Sequence, residues 1–207
     1  DYTFSSSEAG TITYGGSCSS SNTSAIAGTI TVTLNALSEG TYADCVFSVT
    51  DSAGNGSAFF TMRPFIIDTT APTISSISPT DNQTGVSISD NISVTFSEAM
   101  DTTSVTTNTS NTSCSGSFQV SSDSFSTCVK MSSSPSVSNS DKTFTVTPSS
   151  SLSYSTTYKV RVTTGVKDVS GNNLSSQYET TTGFAPCSGN ASFATAGASG
   201  TILTSAN

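Results

Sequence analysis

Apolar residues in this chain recur at every second position, in short strings set apart by stretches of Ser, Thr, Gly and Asn. Tyr2 and Phe4, Ile12 and Tyr14, then Ile30, Val32 and Leu34 alternate with Thr or Ser. Cys45, Phe47 and Val49 continue the series, and Ala58 to Ile67 reads as one closing strand. Farther along come Ile74 and Ile77; Ile92, Val94 and Phe96; Phe118 and Val120; Val129 and Met131; and Phe144 and Val146. Tyr158 to Val162 and Tyr178 to Phe184 end the series, while Thr102 to Ser117 is almost all Ser, Thr and Asn and reads as loop. A period of two is that of a half-buried strand in an antiparallel sheet. Short strands at near-regular spacing, with no helical period anywhere, predict β-sandwiches.

One arrangement of parts occurs twice. Leu152-Ser153, Thr157-Tyr158, the strand to Val162 and the turn Asp168-Val-Ser-Gly171-Asn172 match Leu37-Ser38, Thr41-Tyr42, the strand to Val49 and Asp51-Ser-Ala-Gly54-Asn55. Each turn has the required chemistry, because Gly accepts positive φ and Asp or Asn can bond its own backbone. Copies more than a hundred residues apart predict two domains rather than one. The boundaries fall at 1–67 and 73–184, with Asp68-Thr-Thr-Ala-Pro72 between them. Pro72 has no amide donor and keeps Ala71 extended, so the linker is short and stiff.

Composition narrows the function. Only 10% of the 207 residues are charged, with six basic against fourteen acidic residues and a net charge of −8. Nucleic acid is not an expected partner, because phosphate binding needs clustered Lys and Arg. No apolar run approaches the length of a membrane span, so membrane insertion is not expected within this segment. A start at Asp1 in strand-like sequence reads as a mature or excised segment, without a signal peptide. The chain has no His, which rules out a Ser-His-Asp triad and a mixed Cys/His zinc site. Glu98 and Asp101, the nearest approach to a catalytic carboxylate pair, read better as turn residues, and no enzyme is expected.

Five Cys residues among Ser and Gly point to an oxidising, extracellular or cell-surface setting. Pairing of sequence neighbours gives Cys18–Cys45 and Cys114–Cys128, each worth about 3 kcal/mol by loop entropy. Cys187 is left over for an intermolecular partner.

The residues Pro72-Thr-Ile-Ser-Ser-Ile-Ser-Pro79, Gly85-Val86, Ile92-Ser-Val-Thr-Phe-Ser-Glu-Ala-Met-Asp101, Tyr158-Lys-Val160 and Asp168-Val-Ser-Gly-Asn172 together resemble the bacterial Ig-like domain of S-layer proteins and surface adhesins. The first unit, through Gly10-Thr-Ile-Thr-Tyr14, Leu37 to Tyr42 and Asp51 to Asn55, resembles another repeat of that kind. The resemblance implies an all-β chain of two Ig-like antiparallel sandwiches in tandem, with a short strand-like tail at 185–207. It also implies a structural role in a secreted or surface-anchored adhesin, stalk or fibre. Neighbouring repeats or identical subunits would be the partners.

In such sandwiches a Tyr two residues before an inward position can tie a loop to the sheet. Tyr158 precedes Val160 by two, whereas Tyr42 precedes Cys45 by three. Either a bulge takes up the extra residue or Tyr42 faces solvent. Calcium is the one ion the residues could hold, on Asp51, Asn55 and Asp68 at one pole of the first unit and on Asp81, Asn82, Asp168 and Asn172 in the second. The rows Thr29-x-Thr31-x-Thr33 and Thr143-x-Thr145-x-Thr147 suggest a surface glycan or another ordered surface as an alternative ligand. The tail contains Ser192-Phe-Ala-Thr-Ala196 and Thr201-Ile-Leu-Thr204, each too short to be stable alone. The tail must therefore pack on unit two, begin a further repeat or add to a neighbour's sheet edge.

Overall fold

Alternation and turn chemistry place the strands of the first unit, Asp1–Thr69, in a computed structural model that describes residues 1–187. Its strands are β1 (Tyr2–Ser6), β2 (Gly10–Gly15), β3 (Ser24–Ala25), β4 (Gly28–Val32), β5 (Gly40–Tyr42), β6 (Val46–Asp51), β7 (Phe60–Thr61) and β8 (Phe65–Ile67). β1 pairs only with β4 among the described residues, and the second sheet runs β3-β2-β6-β7. Core residues face one another across these ladders, as in Phe4↔Ile30 and Tyr14↔Phe47. The closing strand expected over 58–67 is interrupted between β7 and β8, where Pro64 has no amide to donate. β5 pairs with β8 and β6 with β7, so 40–51 and 60–67 form one long, bent antiparallel hairpin.

The second unit, from Thr70 on, contains β9 (Ile74–Ser78), β10 (Ile92–Phe96), β11 (Phe118–Ser121), β12 (Ser136–Ser138), β13 (Thr143–Val146), β14 (Lys159–Val162) and β15 (Tyr178–Glu179). One sheet runs β12-β13-β10-β9 and the other β11-β14-β15. In chain order this is the four-plus-three arrangement of a constant-type immunoglobulin sandwich. All strand pairings between these elements are antiparallel. The register puts Val94 opposite both Phe144 and Ile77, and Phe118 opposite Val162, so the inner faces meet as one apolar layer. No helix occurs among the described residues.

Three features depart from the pattern. Val129 and Met131 form no strand; Val129 donates to Val120 O and Met131 makes a lone bridge to Pro148. β12 has a single apolar residue, Val137, and lies at an exposed edge, so period two gave no sign of it. Ala185 to Cys187 do not break from unit two. Ala185 N–H donates to Gln83 O and Cys187 N–H to Val86 O, placing this segment parallel to Gln83–Val86. The strand-like stretches at 192–196 and 201–204 lie outside the described residues.

Both faces of β11 are buried, the outer one by polar chain. Gln119 Nε2 donates to Cys114 O and Gly116 O, and the Cys114–Cys128 disulfide ties that loop to the segment beyond β11. Core burial therefore dominates unit two's stability, and its edge does not. Phe144→Ala removes a fully buried ring and should cost about 3–5 kcal/mol in chemical denaturation. Val137→Ala on the exposed β12 should stay within about 0.5 kcal/mol.

Candidate functional site

The twice-used sequence element folds into the same hairpin in both units. In unit two, the Ser153 N–H donates to Tyr158 Oη at 2.9 Å. In unit one, Tyr42 Oη donates to Ser38 O at 2.8 Å. The Ser of each Leu-Ser pair is thus the loop partner of the following Tyr. Each Tyr then stacks on an aromatic ring of the returning strand: Tyr158 on Phe184 at 5.8 Å and Tyr42 on Phe65 at 5.4 Å. These are also cross-strand neighbours, Tyr158↔Phe184 and Tyr42↔Phe65. Phe65 and Phe184 were not singled out from the sequence, although each is an aromatic near the close of its unit.

Tyr42 fits neither of the alternatives drawn from its odd spacing. The ladder keeps one register from Tyr42↔Phe65 to Val46↔Thr61, so no bulge is inserted, and stacking leaves Tyr42 half-buried. Instead regular pairing lapses over 43–45, where Met62 N–H still donates to Cys45 O in the same register.

The far end of each hairpin is the Asp-x-x-Gly-Asn turn. Asp51 Oδ1 accepts the N–H groups of Ala53 and Asn55, and its Oδ2 accepts Asn55 Nδ2. Asp168 does the same with Ser170 and Asn172, at 2.8 Å in each case. Gly54 and Gly171 sit at φ +90° and +94°, where a β-carbon is strained. The Asn55 side chain, then its backbone N–H, hold the Asp51 carboxyl below the usual range.

Candidate ion ligands are therefore brought together only in part. Asp51 with Asn55, and Asp168 with Asn172, form pairs within a turn. Asp68 follows β8, whose Ile67 pairs with Gly40 at the opposite end of the hairpin from Asp51. Asp81 lies at the tyrosine end of unit two's hairpin, accepting the Thr181, Thr182 and Gly183 N–H groups at 3.0, 3.0 and 2.6 Å. Asp168 is at the tip. Hairpin length separates Asp51 from Asp68, and Asp81 from Asp168. The Asp81 clasp had no sequence signal, since its partners are a hundred residues away.

The Cys residues are placed as follows. Cys18–Cys45 closes with Cα atoms 5.1 Å apart inside unit one's core, and Cys114–Cys128 with 5.0 Å. Cys187 is free and exposed. The Thr rows are used across strands: Thr31 Oγ1 meets Thr3 Oγ1, Thr143 Oγ1 meets Thr95 Oγ1, and Thr33 donates to Asp1. Asp101 receives Thr103 through both hydroxyl and amide, the turn role expected of it.

A family model described as bacterial Ig-like domain matches residues 68–195. The chain belongs to the bacterial Ig-like domain family. Among solved structures it is similar to the N-terminal part of the bacterial S-layer protein SbsC, with 23% identity and a TM-score of 0.40 over 57% of this chain and 24% of that one. It is also similar to surface layer protein SbsC, domains 1–6, with 24% identity and a TM-score of 0.39 over 57% of this chain and 14% of that one. The Ig-like chain thus spans under a quarter of the length of either structure. No curated protein matches it.

The Asp81 clasp makes this Ig-like unit sensitive to acid. Burial pushes the Asp81 carboxyl up, but the N–H groups of Gly183, Thr181, Thr182 and Asn82 outweigh it and hold the pKa below the usual value. A depressed pKa gives stability that is present above the unfolded value and lost as pH falls through the folded one. Asp81→Asn should cost about 1–2 kcal/mol at neutral pH and flatten unit two's pH–stability curve below about pH 4. A parallel downward shift with unchanged slope would show that the clasp does not titrate with folding.

Proposed function

We propose that the chain is a structural repeat segment of a bacterial cell-surface or secreted protein, an adhesin, stalk or fibre. In this reading its units hold position, bear load and join neighbouring repeats or identical subunits head to tail through strand addition. The observation that carries the reading is the duplicated tyrosine-anchored hairpin. Its polar residues are occupied in closing each sandwich, as Asp51 and Asp168 are in their turns. Two disulfides suit an oxidising, extracellular setting. Binding of a surface glycan is the competing reading, supported by the exposed row Thr29, Thr31 and Thr33 alone. Calcium at the oxygen-rich turns would enter the account if chelation lowered the melting temperature.

Load-bearing also has a geometric basis in unit two. The segment Gln83–Val86, which follows β9, runs parallel to the last described segment, joined by Ala185 N–H to Gln83 O at 2.8 Å and Cys187 N–H to Val86 O at 2.9 Å. Once β9 is drawn out, opposed pulls on these two parallel segments load such bonds in shear, all at once rather than in sequence. Cys187→Pro removes one of these donors from an exposed position. In single-molecule pulling, unit two should unfold at a high force that this variant lowers, while its melting temperature changes little. An unfolding force unaffected by the variant would contradict the shear account, and selective binding on a glycan array would put recognition first.

A further inference from the structure

We infer that Asn55 is a self-modifying site, at which the Gly56 backbone nitrogen attacks the Asn55 side-chain amide and so opens the tip of unit one's hairpin. The inference stands apart from the proposed structural role, since it rests on the chemistry of one turn and not on assembly. Asn55-Gly56 is the only Asn-Gly step in the sequence. It closes the Asp-x-x-Gly-Asn turn of unit one, where both residues are exposed.

The fold does not require Gly at position 56. Gly54 already meets the turn's need for positive φ, at +90°. A β-carbon on Gly56 would lie 3.5 Å from Thr50 Oγ1, an ordinary contact, and its φ is not in the left-handed region. In unit two Asn173 holds the same place. The ladder bonds there are equivalent, Asp168 N–H to Asn172 O at 3.0 Å and Leu174 N–H to Val166 O at 3.2 Å. What Gly56 changes is access. A side chain at that position crowds the approach of its nitrogen to the preceding carboxamide, and Gly has none.

The Gly56 N–H is also left out of the ladder. The bridge between Thr50 and Gly56 is made by their neighbours, with Asp51 N–H donating to Asn55 O at 3.0 Å and Ser57 N–H to Val49 O at 2.9 Å. Both turns restrain their carboxamides alike, Asn55 Nδ2 on Asp51 Oδ2 at 2.9 Å and Asn172 Nδ2 on Asp168 Oδ2 at 2.8 Å. The following residue and the burial of Asp168 therefore set the two turns apart.

Solvent takes the Gly56 amide proton, and the nitrogen bonds to Asn55 Cγ. The Cγ–Nδ2 bond breaks, Nδ2 takes a proton from water, and ammonia leaves a succinimide. Water opens this ring at either carbonyl, giving aspartate or isoaspartate with no change of oxidation state. Both products lose the donor to Asp51 Oδ2 and set a new carboxylate beside Asp51. Glu8 already faces Asp51, and Arg63, the only basic residue of unit one, lies between β7 and β8, away from the tip. The added charge is thus repelled without compensation. Isoaspartate also lengthens the main chain by a methylene, which breaks the register of the two bridging bonds.

The test is peptide mapping by mass spectrometry on the full chain aged in warm, mildly alkaline buffer, with native circular dichroism checked throughout. Asn55 should exchange its amide for a hydroxyl at least about tenfold faster than Asn172. Gly56→Ala, which the turn has room for, should slow the change at Asn55 by about tenfold. In the aged chain the amides of Asp51 and Ser57 should lose their hydrogen-exchange protection, while those of Asp168 and Leu174 keep theirs. An Asn55 that converts no faster than Asn172, or as fast in Gly56→Ala as in the parent, overturns the inference. So does conversion confined to chain unfolded by denaturant, because the fold would then protect the turn. Aged chain with Asp51 and Ser57 still protected overturns the opening of the tip.

Discussion

A tyrosine hydroxyl held against a loop backbone atom is the constraint on which each unit depends. Where the chain crosses from one sheet to the other, it leaves backbone groups that no ladder can satisfy. Tyr158 meets one of these, the Ser153 amide, while its ring stacks on Phe184. Tyr42 meets the Ser38 carbonyl and stacks on Phe65. The contact therefore fixes the crossover and both strands of the hairpin at once. Beyond it the Asp-x-x-Gly-Asn turn closes the far end. The Asp81 clasp on Thr181 to Gly183 fixes the tyrosine end of unit two from the other side.

The two units support this constraint by different means. Among the described residues, unit two has nineteen in its buried apolar cluster, with Phe96, Phe118, Phe144 and Phe184 fully enclosed. Unit one has eight, and two of these are the bonded Cys18 and Cys45. A core that small gains little from burial, which is why its disulfide lies inside it. In unit two the burial suffices. Its disulfide instead organises the polar loop over β11, where Gln119 is sealed by Cys114 and Gly116.

Most strands were legible because their inward residues alternate, as Ile92, Val94 and Phe96 do, and because Gly54 and Gly171 mark turns that need positive φ. The hairpin was legible as a repeat before its geometry was known. What stayed hidden depended on partners distant in sequence. The Asp81 clasp and the parallel pairing of Ala185–Cys187 with Gln83–Val86 join residues about a hundred positions apart. β12 escaped because an exposed edge strand has no apolar period to read. The grouping of the candidate ion ligands also depended on distant partners. Shared residue type placed Asp51 with Asp68 and Asp81 with Asp168, whereas strand register sets them at opposite hairpin ends.

Native-state hydrogen exchange tests the central claim most directly. If the tyrosine anchor holds the sandwich, the amides of Tyr158, Thr180, Phe184 and Leu174 within this hairpin exchange only through global unfolding of unit two. Those of the exposed strand β12 exchange earlier, by local opening. Tyr158→Phe should then bring the hairpin amides down together, since it removes the acceptor of the Ser153 amide. Hairpin amides that exchange as early as those of β12, or that keep their protection in Tyr158→Phe, would contradict the account.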